Sequence, residues 1–162
     1  MPRVFASALV ALGWATPAIS QDAALLDRGR YLVEVTAACG NCHTPMGPRG
    51  PRPGRHLAGG TVFDEAPFRA VAPNITPDPE TGIGRWSDAE IARAIREGKR
   101  PDGSTIGPPM PFAFYRGLSD RDLAAMVAYL RSVPPVRGAT EPSTYRIALP
   151  PAYGPPVGAV AS

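Results

Sequence analysis

The sequence predicts an all-α domain of about three or four short helices connected by long ordered loops. Three observations carry that expectation. Stretches beginning at Ser87 and Ser119 have helix start and stop signals, and residues 22–38 repeat apolar residues at helical spacing. Residues 44–85 show no sustained period, only turn chemistry. The 162 residues include 21 prolines and 17 glycines, which break the chain into short pieces, while a hydrophobic content of 44% still suffices for a core. A large apolar cofactor would supply the core that so loop-rich a chain lacks.

Residues 1–20 read as a secretory signal, with Arg3 near the start, an apolar stretch from Val4 to Trp14, and Ala18-Ile19-Ser20 as a small-x-small cleavage site. The apolar stretch is too short to span a membrane by itself, and the alternative is an uncleaved anchor. No later segment is long and apolar enough to be transmembrane, so the mature chain is expected to be exported and soluble. The net charge is +3, with no run of Lys or Arg that would mark a nucleic-acid or membrane-surface partner.

The first helix is expected over residues 22–38, where Leu25, Gly29, Leu32 and Val33 fall on one face. Gly29 lacks a side chain there, which would let a second helix approach closely; Tyr129 on the last helix could flank that crossing. The helix ends at Cys39-Gly40-Asn41-Cys42-His43, and C-x-x-C-H is the spacing required for covalent attachment of a c-type haem. The two thiols reach two vinyl groups, and His43 lies under the iron as a neutral imidazole ligand. Its other ring nitrogen needs a carbonyl acceptor, with candidates in the turn Thr44-Pro45-Met46-Gly47-Pro48. Three competing readings use the same residues. Cys39, Cys42, His43 and His56 could form a zinc tetrahedron, though adjacent Cys42 and His43 would need a sharp chelating bend. A thioredoxin-like pair needs a preceding strand, where a helical pattern stands instead. A Cys39–Cys42 disulfide would close too short a loop to stabilise much.

A loop of some forty residues, 44–85, argues against an assignment unless it wraps a ligand, and haem is such a reason. Arg49, Arg52 and Arg55 make it basic, which suits a solvated loop first and haem propionates or an acidic partner second. The second helix has Ser87 as N-cap, Glu90 at N3 completing a capping box, and Trp86 facing Ile91 as a hydrophobic staple; it ends at Gly98. The Trp86 indole N–H could also hold a propionate. The third helix repeats the device with Leu118, Ser119, Asp122 and Leu123, and stops at Pro134-Pro135. Residues 136–162 are expected to form a Pro-rich extended arm, docked on a partner or mobile, outside a domain spanning 21–135.

A histidine-ligated iron has one axial site left, for which a methionine thioether is the electron-transfer choice. The methionines are Met1, Met46, Met110 and Met126. Met1 belongs to the signal, Met46 is too close to His43 to reach the opposite haem face, and Met126 falls on a buried helical face. Met110 remains, in a stiff loop Gly107-Pro108-Pro109-Met110-Pro111-Phe112. Prolines lower the entropy lost on presenting its sulfur. Phe112 and Phe114 could pack beside the ring and exclude water. The alternative is an open or His56-ligated site.

Residues 28–134 resemble the class I c-type cytochromes, and most of all the cytochrome c subunits and domains of bacterial periplasmic dehydrogenases. The matching stretches are Gly40-Asn41-Cys42-His43-Thr44-Pro45, Leu57-Ala58-Gly59-Gly60, Asn74-Ile75-Thr76-Pro77-Asp78, Thr81-Gly82-Ile83-Gly84-Arg85-Trp86-Ser87 and Met110-Pro111-Phe112. The resemblance implies a small all-helical fold around one haem c, thioether anchors at Cys39 and Cys42, and His43 and Met110 as axial ligands. It further implies one-electron transfer in the periplasm, without catalysis by the chain itself, between a dehydrogenase and a downstream oxidase or cytochrome. Those dehydrogenase subunits commonly carry several haem domains in tandem, whereas this sequence has a single C-x-x-C-H. A haem protein with an open sixth site is the runner-up reading, and a haem-free zinc or disulfide module the third.

Overall fold

The computed structural model describes residues 21–149. The expected signal at 1–20 and the end of the arm at 150–162 lie outside the described residues. Helix α1 (Gln21–Tyr31) passes directly into a π-helical turn, Leu32–Thr36, which sets Leu32 and Val33 into the core. Ala38 then takes a left-handed φ of 47° and turns the chain into the short α2 (Gly40–His43), so the cysteines sit at a corner rather than along one continuous helix.

The two capped helices form where their signals place them. Ser87 and Glu90 close a reciprocal capping box at the start of α3 (Asp88–Glu97), and Gly98 ends it at a left-handed φ of 69°. After a single turn, α4 (Phe112–Tyr115), the Ser119 hydroxyl accepts from the Asp122 amide and starts α5 (Asp120–Ser132). The core gathers where α3 and α5 meet the π-helical turn and the loops that carry Leu57 and Ile83: Leu32, Val33, Leu57, Ile83, Ile91, Ile95, Leu123, Met126, Val127 and Leu130 are all buried.

Gly29 permits the α1–α5 crossing. A Cβ there would lie 2.0 Å from the Ala125 carbonyl oxygen and 2.8 Å from the Tyr129 Cβ, so one helix backbone rests directly on the other. Arg28 and Asp122 pair at 2.8 Å beside it. Gly29→Ala gains helix propensity but forces the helices apart, and it is expected to destabilise the protein by about 3 kcal/mol, at the upper end of overpacking effects. Urea unfolding checks this; an unchanged midpoint would mean that the crossing tolerates a methyl group.

The expected all-α class is overturned. Alongside five α-helices, the described residues contain an antiparallel pair, β1 (Met46–Gly47) with β2 (Gly50–Pro51), and a three-stranded antiparallel sheet. In that sheet β3 (Val62–Glu65) pairs with β4 (Phe68–Val71), and β4 pairs with β5 (Thr144–Tyr145). The strands escape a pattern search for a physical reason. They are two to four residues long, β3 is mostly exposed, and β4 buries its last two residues in succession rather than alternately. The partner strand β5 comes from the far end of the chain. Residues 136–149 thus run back over the loop 69–81: Val136 and Gly138 bond to Asn74, Thr76 and Thr81, and Glu141 pairs with Arg69 at 2.9 Å. Among the described residues no helix is long and apolar enough to cross a membrane.

Candidate functional site

Between α2, β4, α3, the loop 106–110 and α5 lies an apolar cleft of about 1240 Å³, its open mouth included, lined by Cys39, Cys42, His43, Trp86 and Met110. Five of the seven residues expected to contact haem therefore meet at one place. Both cysteines are free thiols, partly buried. Burial, aided by the nearby Glu34 carboxylate, pushes the Cys39 thiol up to about 12, and burial raises Cys42 as well. A zinc site would have to draw on both thiols together with His43 and His56. His56 is committed elsewhere, donating from Nε2 to Glu34 at 2.8 Å, and among the described residues no group of three or more His, Cys, Asp or Glu side chains is set to hold a metal ion.

His43 is 7% exposed. Its Nδ1–H donates to the Pro73 carbonyl at 2.8 Å, which leaves Nε2 with its lone pair. Burial lowers the imidazole pKa, against the opposing pull of the Pro73 carbonyl, so the ring is neutral and ligand-ready. The acceptor is thus not in the turn after His43. The carbonyls there close the loop instead: His43 O accepts from the Gly59 amide at 2.6 Å and Pro45 O from the Arg52 amide at 2.9 Å.

Pro73 is held in turn by Asn74, which is 2% exposed. The Asn74 amide donates to Val136 O at 2.7 Å and Thr81 Oγ1 at 3.1 Å, while its oxygen accepts from the Thr76 amide and hydroxyl. Asp78 caps the same loop by accepting from the Thr81 hydroxyl and amide and the Glu80 amide, bonds that lower its pKa. Neither Pro73 nor Asn74 emerges from the sequence as a site residue. Asn74 does open one of the stretches that resemble the class I c-type cytochromes, Asn74-Ile75-Thr76-Pro77-Asp78, but nothing in that stretch gives it or Pro73 a role toward His43.

The two phenylalanines expected beside the ring lie outside the lining of the cleft. Phe112 is 5% exposed but lies outside the lining of the cleft, with its ring filling the space over Gly98, where a Cβ would meet ring carbons at 2.8 Å. It caps α3 rather than the site. Phe114 is 85% exposed. Tyr115, which no sequence pattern marks, lines the cleft; its hydroxyl donates to Ala37 O at 3.2 Å, and burial pushes its pKa up to about 12. Trp86 lines the cleft and also packs against the core, so the staple and site readings of this residue share one position. Met126 reaches the cleft too, but as a 1%-exposed member of the core, whereas Met46 is 56% exposed and lies outside the lining.

Two thiols beside α2, a bare imidazole nitrogen and a loop thioether around apolar walls fit a covalently held iron porphyrin. A family model described as Cytochrome c matches residues 26–134. One of the subunits of nicotinate dehydrogenase from Pseudomonas putida is 46% identical over 119 residues, 73% of this chain and 9% of its own. The cytochrome c subunit of quinone-dependent alcohol dehydrogenase from Gluconobacter oxydans is 38% identical over 116 residues, 71% of this chain and 23% of its own. The fructose dehydrogenase cytochrome subunit of Gluconobacter japonicus is 42% identical over 112 residues, 67% of this chain and 22% of its own. The chain thus spans less than a quarter of the length of each of these relatives.

Proposed function

The chain belongs to the cytochrome c family, and on that premise we propose that it carries single electrons in the periplasm on one haem c, attached at Cys39 and Cys42 and ligated by His43 and Met110. Its donor is a dehydrogenase and its acceptor a respiratory oxidase or another cytochrome; the chain itself catalyses no substrate turnover. Dehydrogenase subunits among the relatives support the donor class. Residues 1–20 serve export, and the haem domain expected over 21–135 continues through the segment 136–149 that closes its cleft.

The observation that carries this reading is the arrival of His43, fixed through Nδ1 by Pro73, and Met110 at the same apolar cleft as both thiols. When bound, the haem supplies a one-electron couple. The protein does the rest by staying still. Pro73 holds the imidazole in one tautomer and one plane, and Asn74 holds Pro73. Ile91, Ile95, Met126 and Leu130 exclude water from the cleft. The soft thioether of Met110 raises the potential over that of an oxygen or nitrogen ligand.

Export alongside a haem-attachment system, followed by absorption spectra of the oxidised and reduced protein and by denatured haem titration, tests this reading. One covalent haem per chain, a low-spin spectrum and no carbon monoxide binding by the reduced form are expected. Ready carbon monoxide binding would replace the carrier by a ligand-binding haem protein, and absence of haem would remove both.

A further inference from the structure

We propose that Tyr145 is a positioning residue for Met110: the segment 136–149, beyond the residues matched by the family model, is a strap that presses the Met110 loop onto the cleft. This rests on the reading of Met110 as the sixth ligand. The loop has little of its own to hold it, because Pro108 and Pro109 have no amide hydrogens to donate. The Ile106 amide, one residue before Gly107, donates to Gly98 O at 2.8 Å, and from Gly107 on the loop is placed by packing. Gly107 is buried, and a Cβ there would lie 2.4 Å from Cε1 and Cζ of the Tyr145 ring and 2.8 Å from Leu149 Cδ2. The strap therefore rests on bare loop backbone, three residues before the thioether.

The strap is itself anchored on the far side. Ser143 accepts from the Val71 amide at 2.9 Å, and Arg146 donates from its guanidinium to the carbonyls of Glu65 at 3.0 Å and Ala66 at 2.9 Å. Tyr145 stacks at a tilt on Phe68 of β4, with centroids 6.1 Å apart. Ser143 and Tyr145 both line the cleft, so the strap forms part of its wall as well as the loop's support. A cleft built this way keeps Met110 in place only while β5 stays on β4.

The test uses full-length, haem-loaded protein and four variants: Tyr145→Ala, Tyr145→Phe, Arg146→Ala and Met110→Ala. Carbon monoxide is the probe of the reduced form, and the weak long-wavelength sulfur–iron band and the reduction potential are read beside it. Tyr145→Ala is expected to bind carbon monoxide on the order of tenfold more tightly than wild type, by raising the fraction of chains with Met110 displaced. It should also weaken the sulfur–iron band and lower the potential. Tyr145→Phe keeps the ring that touches Gly107 and should match wild type. Arg146→Ala loosens the strap without touching the cleft and should move the same way as Tyr145→Ala, by less; it decides the matter if Tyr145→Ala fails to take up haem. Wild-type behaviour of both Tyr145→Ala and Arg146→Ala, with Met110→Ala open to carbon monoxide, would overturn the strap and leave the ligand assignment intact. If wild type and Met110→Ala bind carbon monoxide equally, the ligand assignment falls and the strap falls with it.

Discussion

Met110→Ala is expected to convert a closed, low-spin site into one that binds carbon monoxide in the reduced form, and to lower the reduction potential by a few tenths of a volt, within the roughly 0.8 V that axial ligands span. Met110 is half-buried in a loop and is not part of the hydrophobic core, so its removal leaves that core intact and the change reads at the haem rather than in stability. Met126 is the rival sulfur, since it too lines the cleft. It sits at 1% exposure among Leu32, Val33 and Leu130, so Met126→Leu, a volume-conserving swap costing under about 1.5 kcal/mol, should keep the sulfur–iron band. Loss of the band in Met126→Leu and its survival in Met110→Ala would reverse the assignment.

The features visible in the sequence are those whose cause is local. The capping box at Ser87 and Glu90 and the cap at Ser119 are set by residues three apart, and both helices begin there. Gly29 on the apolar face of the first helix marks a close crossing because only a missing side chain admits a second backbone. The C-x-x-C-H run fixes its own chemistry. Most of what escapes is non-local. The acceptor for His43 is expected in the next turn, but it lies 30 residues on, at Pro73, because a histidine at the end of a short helix faces whatever the loop brings back. Tyr115 and Phe112 share one turn of helix, and only packing decides that Tyr115 faces the cleft while Phe112 covers Gly98. Only the third strand of the sheet is non-local, two residues from the far end of the chain pairing with β4, whereas β3 and β4 form a local hairpin whose four-residue strands are too short and irregularly buried to show a period.

Removing both thiols, Cys39→Ala with Cys42→Ala, is expected to cost the protein its cooperative fold as well as its haem. Site and core share side chains: Ile91, Ile95, Met126 and Leu130 belong to the hydrophobic cluster and also line the cleft. Burying such a side chain is worth about 1.5–3 kcal/mol, so leaving four of them partly uncovered forfeits on the order of 5 kcal/mol. That is comparable with the whole stability of an ordinary domain, roughly 5–15 kcal/mol. The α1–α5 crossing at Gly29 rests on Ala125 and Tyr129, neither of which lines the cleft, and it survives the loss. The variant should therefore keep much of its far-ultraviolet helix signal while losing its near-ultraviolet signal and its calorimetric peak. A sharp calorimetric transition within a few degrees of the haem-loaded protein would show instead that the helices close the cleft by themselves and that the haem is a passenger in the fold.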